Sequence, residues 1–82
     1  MSHLDEQINR MLAGQVGMNI DEVAFLRKEF VKYGRNPLVA SVEILAIENG
    51  FDEERVKQLL DLHLKQLRKM DGLAEQIKAV YD

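Results

Sequence analysis

The 82-residue chain contains no cysteine, no threonine and no tryptophan, and only one proline. Without cysteine there is no disulfide framework and no thiolate metal site, a composition that fits a reducing compartment. Without cysteine or threonine, a nucleophile of the Ser, Thr or Cys type is left to two serines. Ser2 stands at the start of the chain, and Ser41 lies in an apolar run where its hydroxyl is expected to bond a backbone carbonyl one turn earlier. No apolar stretch approaches about 18 residues, and the opening residues lack a basic segment followed by a hydrophobic one. Neither a membrane span nor a signal peptide is therefore expected, and the cytoplasm is the expected location. Nucleotide-binding glycine loops are missing too, since Gly14 and Gly17 lack a preceding strand and a following lysine. No sign of charge dominates: 11 Lys and Arg face 14 Asp and Glu, for a net charge of −3. That balance argues against a general polyanion binder while leaving room for a local basic patch.

What is present is helical punctuation. From Leu38 to Glu48, eight of eleven residues are apolar, and at about 100° per residue they do not keep to one face. Asn36 as N-cap, Pro37 at the first helical position and Gly50 at the end mark this stretch as a helix. A helix that is apolar nearly all round is expected to be enclosed by others, so residues 36 to 50 are predicted to form a central buried helix.

Around it the spacing predicts a short helix over 3–13, with Leu4, Ile8, Met11 and Leu12 on one stripe and a flexible connection at 14–17. A helix over 20–33 follows, opened by Asn19 and Glu22 as a capping box and carrying Val23, Leu26, Phe30 and Tyr33 on its core stripe. Phe25 and Val31 fall off that stripe. After Gly50 and Phe51, Asp52 caps a helix over 53–70, and Asp71-Gly72 is expected to break it before a last helix over 73–81. The apolar residues from Val56 to Met70 spread over about 200°, wider than a one-sided surface helix needs. The fold class expected is all-α: one compact domain, a bundle of four to five short helices. A chain of this size buries only about 60 to 65% of its unfolded surface, and such thin cores are often completed by a second chain.

No arrangement of side chains supplies an acid, a base and a nucleophile, so no enzyme is expected, and neither a cofactor nor a metal. His63 has only Asp61 nearby, on another side of the helix. It is expected at a packing surface, where its protonation would oppose burial. The acids Asp21, Glu22, Asp52, Glu53 and Glu54 open helices, and Lys32, Lys65, Arg68 and Lys69 close them, the order that the helix dipole favours. Arg27, Lys28, Lys32 and Arg35 could alternatively form a phosphate-binding patch.

Leu45, Ala46, Gly50, Phe51, Val56 and Leu59 are spaced as in a helix-turn-helix, and residues 45 to 59 resemble that motif. The resemblance implies a DNA-binding regulator with Asp52, Glu53, Glu54, Lys57 and Gln58 leading the reading helix. Gly50-Phe51, Val56 and Leu59-Leu60 also resemble the corner of a ubiquitin-associated domain, a three-helix interaction module. Asn49 stands where both patterns carry an apolar residue, and a tight corner closed by glycine and stapled by phenylalanine accounts for both. The function expected is a protein-protein interaction or regulatory module, acting as a homodimer or with another protein. Its contacts are expected at Phe25, Leu62, His63 and Leu64; DNA binding through residues 45–59 is the alternative.

Overall fold

The computed structural model describes the backbone of residues 3 to 81 and the side chains of residues 3 to 73. Among the described residues there are four helices: α1 His3–Val16, α2 Ile20–Tyr33, α3 Val39–Asn49 and α4 Glu53–Tyr81. The fold is an all-α bundle, and no strand occurs among the described residues.

The capping box at the start of α2 is formed. Asn19 Oδ1 accepts from the Asp21 N–H at 2.8 Å, and Glu22 Oε1 accepts from the Asn19 N–H at 3.1 Å. The corner between α3 and α4 is a Schellman turn: Gly50, left-handed at φ 69°, donates to Ile47 O, and Phe51 donates to Ala46 O at 2.9 Å. Asp52 Oδ1 then accepts from the N–H groups of Glu54 and Arg55 and opens α4.

Three helix boundaries differ from the sequence expectations. First, Gly14 does not end α1. Val16 is buried and continues the stripe of Ile8 and Leu12, and the helix stops at Gly17, where φ is +70° and Ala13 O accepts from both Gly17 and Met18. The expected flexible connection is accordingly three residues, 17 to 19. Second, α3 begins at Val39 rather than at Pro37. Leu38 is its extended N-cap without a side-chain cap bond, and Leu38 O accepts the first helical N–H bonds from Ser41 and Val42. Third, Asp71-Gly72 does not break α4, which runs unbroken for 29 residues. An isolated glycine costs a helix interior only about 1 kcal/mol, too little to stop it.

Val23, Leu26 and Phe30 of α2, Val56 and Leu59 of α4, and Ala46 of α3 are all fully enclosed, with Leu12 of α1 beside them. The central element is α4, not α3: α1, α2 and α3 each pack on α4, and α1 also packs on α2. Of the apolar residues in α3 only Val42, Leu45 and Ala46 are buried. An all-round apolar helix signals that cover is needed, and here one side of it has none.

Candidate interaction surface

The uncovered side of α3 is an apolar feature of the surface among the described residues. Val39, Ile44 and Ile47 are 63, 55 and 66% exposed, and Ala40 between them is exposed as well. At about 100° per residue Ala40, Ile44 and Ile47 fall within about 60° of one another, so they form one stripe rather than scattered contacts. α3 carries Glu43 and Glu48 and no basic residue. Glu43 pairs with Lys57 of α4 at 3.2 Å, which holds that Lys57 amine above its usual pKa through hydrogen bond and charge together.

A second apolar stretch lies along the distal part of α4. Met70 and Leu73 are 45 and 59% exposed. Arg35, in the connection between α2 and α3, makes a bidentate ion pair with Asp71 on this same segment. That pair raises the Arg35 pKa and lowers that of Asp71, in each case mainly through the hydrogen bonds.

The residues expected to form an interface do not share one face. Phe25 is 40% exposed and rests against Phe51, ring centroids 6.3 Å apart at 58°. Leu62 is half-buried against the core, while Leu64 lines a shallow hollow with Arg35, Asn36, Leu67 and Arg68. Two positions apart on a helix, Leu62 and Leu64 point about 200° away from each other.

His63 sits inside, only 2% exposed. Its ring is 5.5 Å from that of Phe30, and its Nδ1 accepts from Arg27 Nε at 3.4 Å. With Nδ1 accepting, the proton of the neutral ring is on Nε2, which has no hydrogen-bond partner among the described residues. Burial, with the Arg27 charge second, pushes the His63 pKa below its ordinary value. Arg27 also donates through Nη1 to Asn9 of α1, itself buried, and burial lowers its own pKa against the opposing effect of Asp5. These groups line an open cleft of about 320 Å³ together with Asp5, Ala24, Lys28 and Val31.

The expected basic patch is thereby largely used within the molecule. Arg27 turns inward, Lys32 pairs with Glu29 at 3.0 Å and Arg35 pairs with Asp71, whereas Lys28 has no such partner among the described residues. Arg27 and Asn9 were missed as interior residues. The signal was present: Arg27 is four after Val23 and three before Phe30 on the core stripe, and Asn9 is four before Ala13. Among the described residues no helix is long and apolar enough to cross a membrane, and no cluster of three or more His, Cys, Asp or Glu is placed to hold a metal ion.

No family model and no solved structure matches the chain. A curated protein does: the homeodomain-only protein of Sus scrofa is 30% identical over 66 residues, which span 80% of this chain and 90% of that protein.

Proposed function

The chain belongs to the family of the homeodomain-only protein, and on that premise we propose that it is a protein-docking module built on a homeodomain-like scaffold, regulating by contact rather than by catalysis. The observation that carries this reading is the uncovered stripe of α3, where Ile44 and Ile47 are more than half exposed on a rigid helix. Contiguous apolar surface of that kind marks sites where other proteins bind. The cytoplasm, the location expected where the sequence shows neither a membrane span nor a signal peptide, suits such a module.

The family name favours a second reading, DNA binding. A homeodomain is a three-helix unit whose last helix enters the major groove and reads adenine through an invariant asparagine, while an N-terminal arm carrying arginines reaches the minor groove. Here α2, α3 and the beginning of α4 correspond in order and corner. The chemistry at the reading positions differs. No asparagine occurs from Glu53 to Tyr81, and the exposed stripe of α4 carries Glu54, Gln58, Asp61 and Lys65, two of them carboxylates. Lys65 is already paired with Asp61 at 3.0 Å. In place of a basic arm, the chain before α2 forms α1, packed on α2 and α4, and its only arginine is Arg10. DNA affinity grows with the number of phosphates neutralised, and this face offers few free bases.

Titrating a labelled mixed-sequence duplex at about 50 mM salt, where counterion release favours binding most, separates the readings. Flat anisotropy up to the highest protein concentration is expected. Saturable binding that weakens steeply with salt would overturn the protein-docking reading in favour of DNA.

A further inference from the structure

We propose that the uncovered face of α3 receives the distal half of α4 from a second copy of this chain, and that its own distal α4 docks in return on the α3 of that copy. The inference deepens the protein-docking reading and rests on it.

Continuity is the first argument. Val56, Leu59 and His63, spaced three and four apart, are the side of α4 buried in the bundle. The same alternation of three and four leads on through Gln66 to Met70 and Leu73, and in the sequence to Ile77 and Val80. One seam thus runs along α4 as far as Leu73, and its spacing goes on in the sequence beyond. It is covered over its first half, whereas Met70 and Leu73 are 45 and 59% exposed. A repeat of 3.5 residues keeps one side of a helix facing another helix, so the outer half of the seam has the form of a helix-docking stripe.

Charge selects the occupant. From Glu48 to Glu54 the corner beside the α3 face holds four carboxylates and no base, while residues 65 to 70 of α4 hold three bases and no acid. Lys69, at the edge of that stripe, is exposed and makes no ion pair among the described residues, and neither does Glu48, whereas Arg68 turns to the opposite side of α4. The apolar stripe with a basic flank therefore complements the apolar face with an acidic flank. Each chain carries one of each. Two copies related by a two-fold axis satisfy both pairs at once, because each patch meets its complement on the other chain and the same contact is made twice in the dimer. Opposed patches also disfavour the alternatives, since α3 against α3 would juxtapose carboxylates and distal α4 against distal α4 would juxtapose bases.

The absence of native cysteine makes the test direct. Ile47→Cys chains mixed with Leu73→Cys chains are expected to form disulfide-linked heterodimers under mild oxidation, with little linkage in either variant alone. Disulfides form only where Cβ atoms approach to about 4 Å, so predominant linkage of Ile47→Cys to itself, or of Leu73→Cys to itself, overturns the pairing. In sedimentation equilibrium the unmodified chain is expected to be a dimer. Lys69→Glu should weaken self-association about tenfold, the scale of one lost charge complement, and Glu48→Lys added to it should restore most of that loss. Both residues are exposed, so folding is not at issue, and circular dichroism of each variant checks this. A chain that stays monomeric at all concentrations overturns the proposal; if it also leaves DNA unbound, the broader protein-docking reading stands. A dimer that binds DNA saturably overturns the docking reading and with it this inference.

Discussion

Arg27 of α2 donates to Nδ1 of His63 in α4 across 3.4 Å, joining residues 36 positions apart in the sequence. Since Arg27 also reaches Asn9, one guanidinium ties three helices together at a point where only a neutral imidazole can accept. Protonating His63 removes the acceptor, places a second cation beside Arg27 and charges a buried ring.

Stability should therefore fall on mild acidification. Unfolded, His63 titrates near 6.5; folded, its pKa lies lower because of burial and Arg27. Between the folded value and 6.5 the unfolded chain binds more protons, so stability is full above 6.5 and declines as pH drops through that window, levelling off below the folded value. Thermal midpoints of wild type and His63→Gln measured from pH 7.5 to 5 are expected to converge toward acid. Parallel curves would show that His63 contributes nothing to the slope.

Equal apolar losses at two places should differ in cost. Leu59→Ala removes a fully buried side chain of α4 and should lower stability by about 2 to 5 kcal/mol. Ile47→Ala, on the uncovered face of α3, should change the stability of the monomer by no more than about 0.5 kcal/mol. Urea unfolding at low protein concentration checks both.

The glycines separate by backbone conformation. Gly14 and Gly72 lie inside helices with open space where a Cβ would go, and alanine at either should stabilise by about 0.5 to 1 kcal/mol. Gly17, at φ +70°, ends α1 in a conformation that a Cβ disfavours, so Gly17→Ala should destabilise by about 1 kcal/mol. Midpoint shifts of opposite sign in thermal unfolding are the expected pattern.

Asn19 closes the capping box of α2. Asn19→Ala should cost about 1 kcal/mol, while Asn19→Asp should cost little, because its carboxylate still accepts the same N–H at a helix N-terminus. Chemical unfolding of the two variants ranks them.

Much of this architecture is legible in the sequence because it is written locally. Asn19, Glu22 and Gly34 bracket α2, and Val23, Leu26 and Phe30 recur at helical spacing and are indeed its buried residues. The Gly50-Phe51-Asp52 corner is likewise local: Gly50 takes the left-handed turn and Asp52 caps α4, as their chemistry suggests. The errors are those of weighting and of distance. Gly14 and Gly72 read as stops because glycine is a poor helix former, yet packing of Val16 and the length of α4 outweigh a penalty of about 1 kcal/mol each. The apolar surround of α3 predicted enclosure, but composition states only that a face is sticky, not that this chain covers it. The Arg27 junction to His63 and Asn9 joins three segments far apart in the chain, and no spacing rule within one helix can express it. The broad apolar arc from Val56 to Met70 suggests one interface for Leu62 and Leu64, whereas the helix turns them to different sides.

α1 and α3 both lean on α4, yet among the described residues they do not pack on each other. Arg55 completes the arrangement by donating to Gly17 O at 2.9 Å, so the end of α1 is fastened to the first turn of α4. The two flanks are thus independent additions to one shared rod. Changes confined to α1 and changes confined to the outer side of α3 should combine additively in free energy, as sites without common neighbours do. The flank that consolidates the fold and the flank left open can then vary separately: one gains or loses stability without redrawing what the other presents.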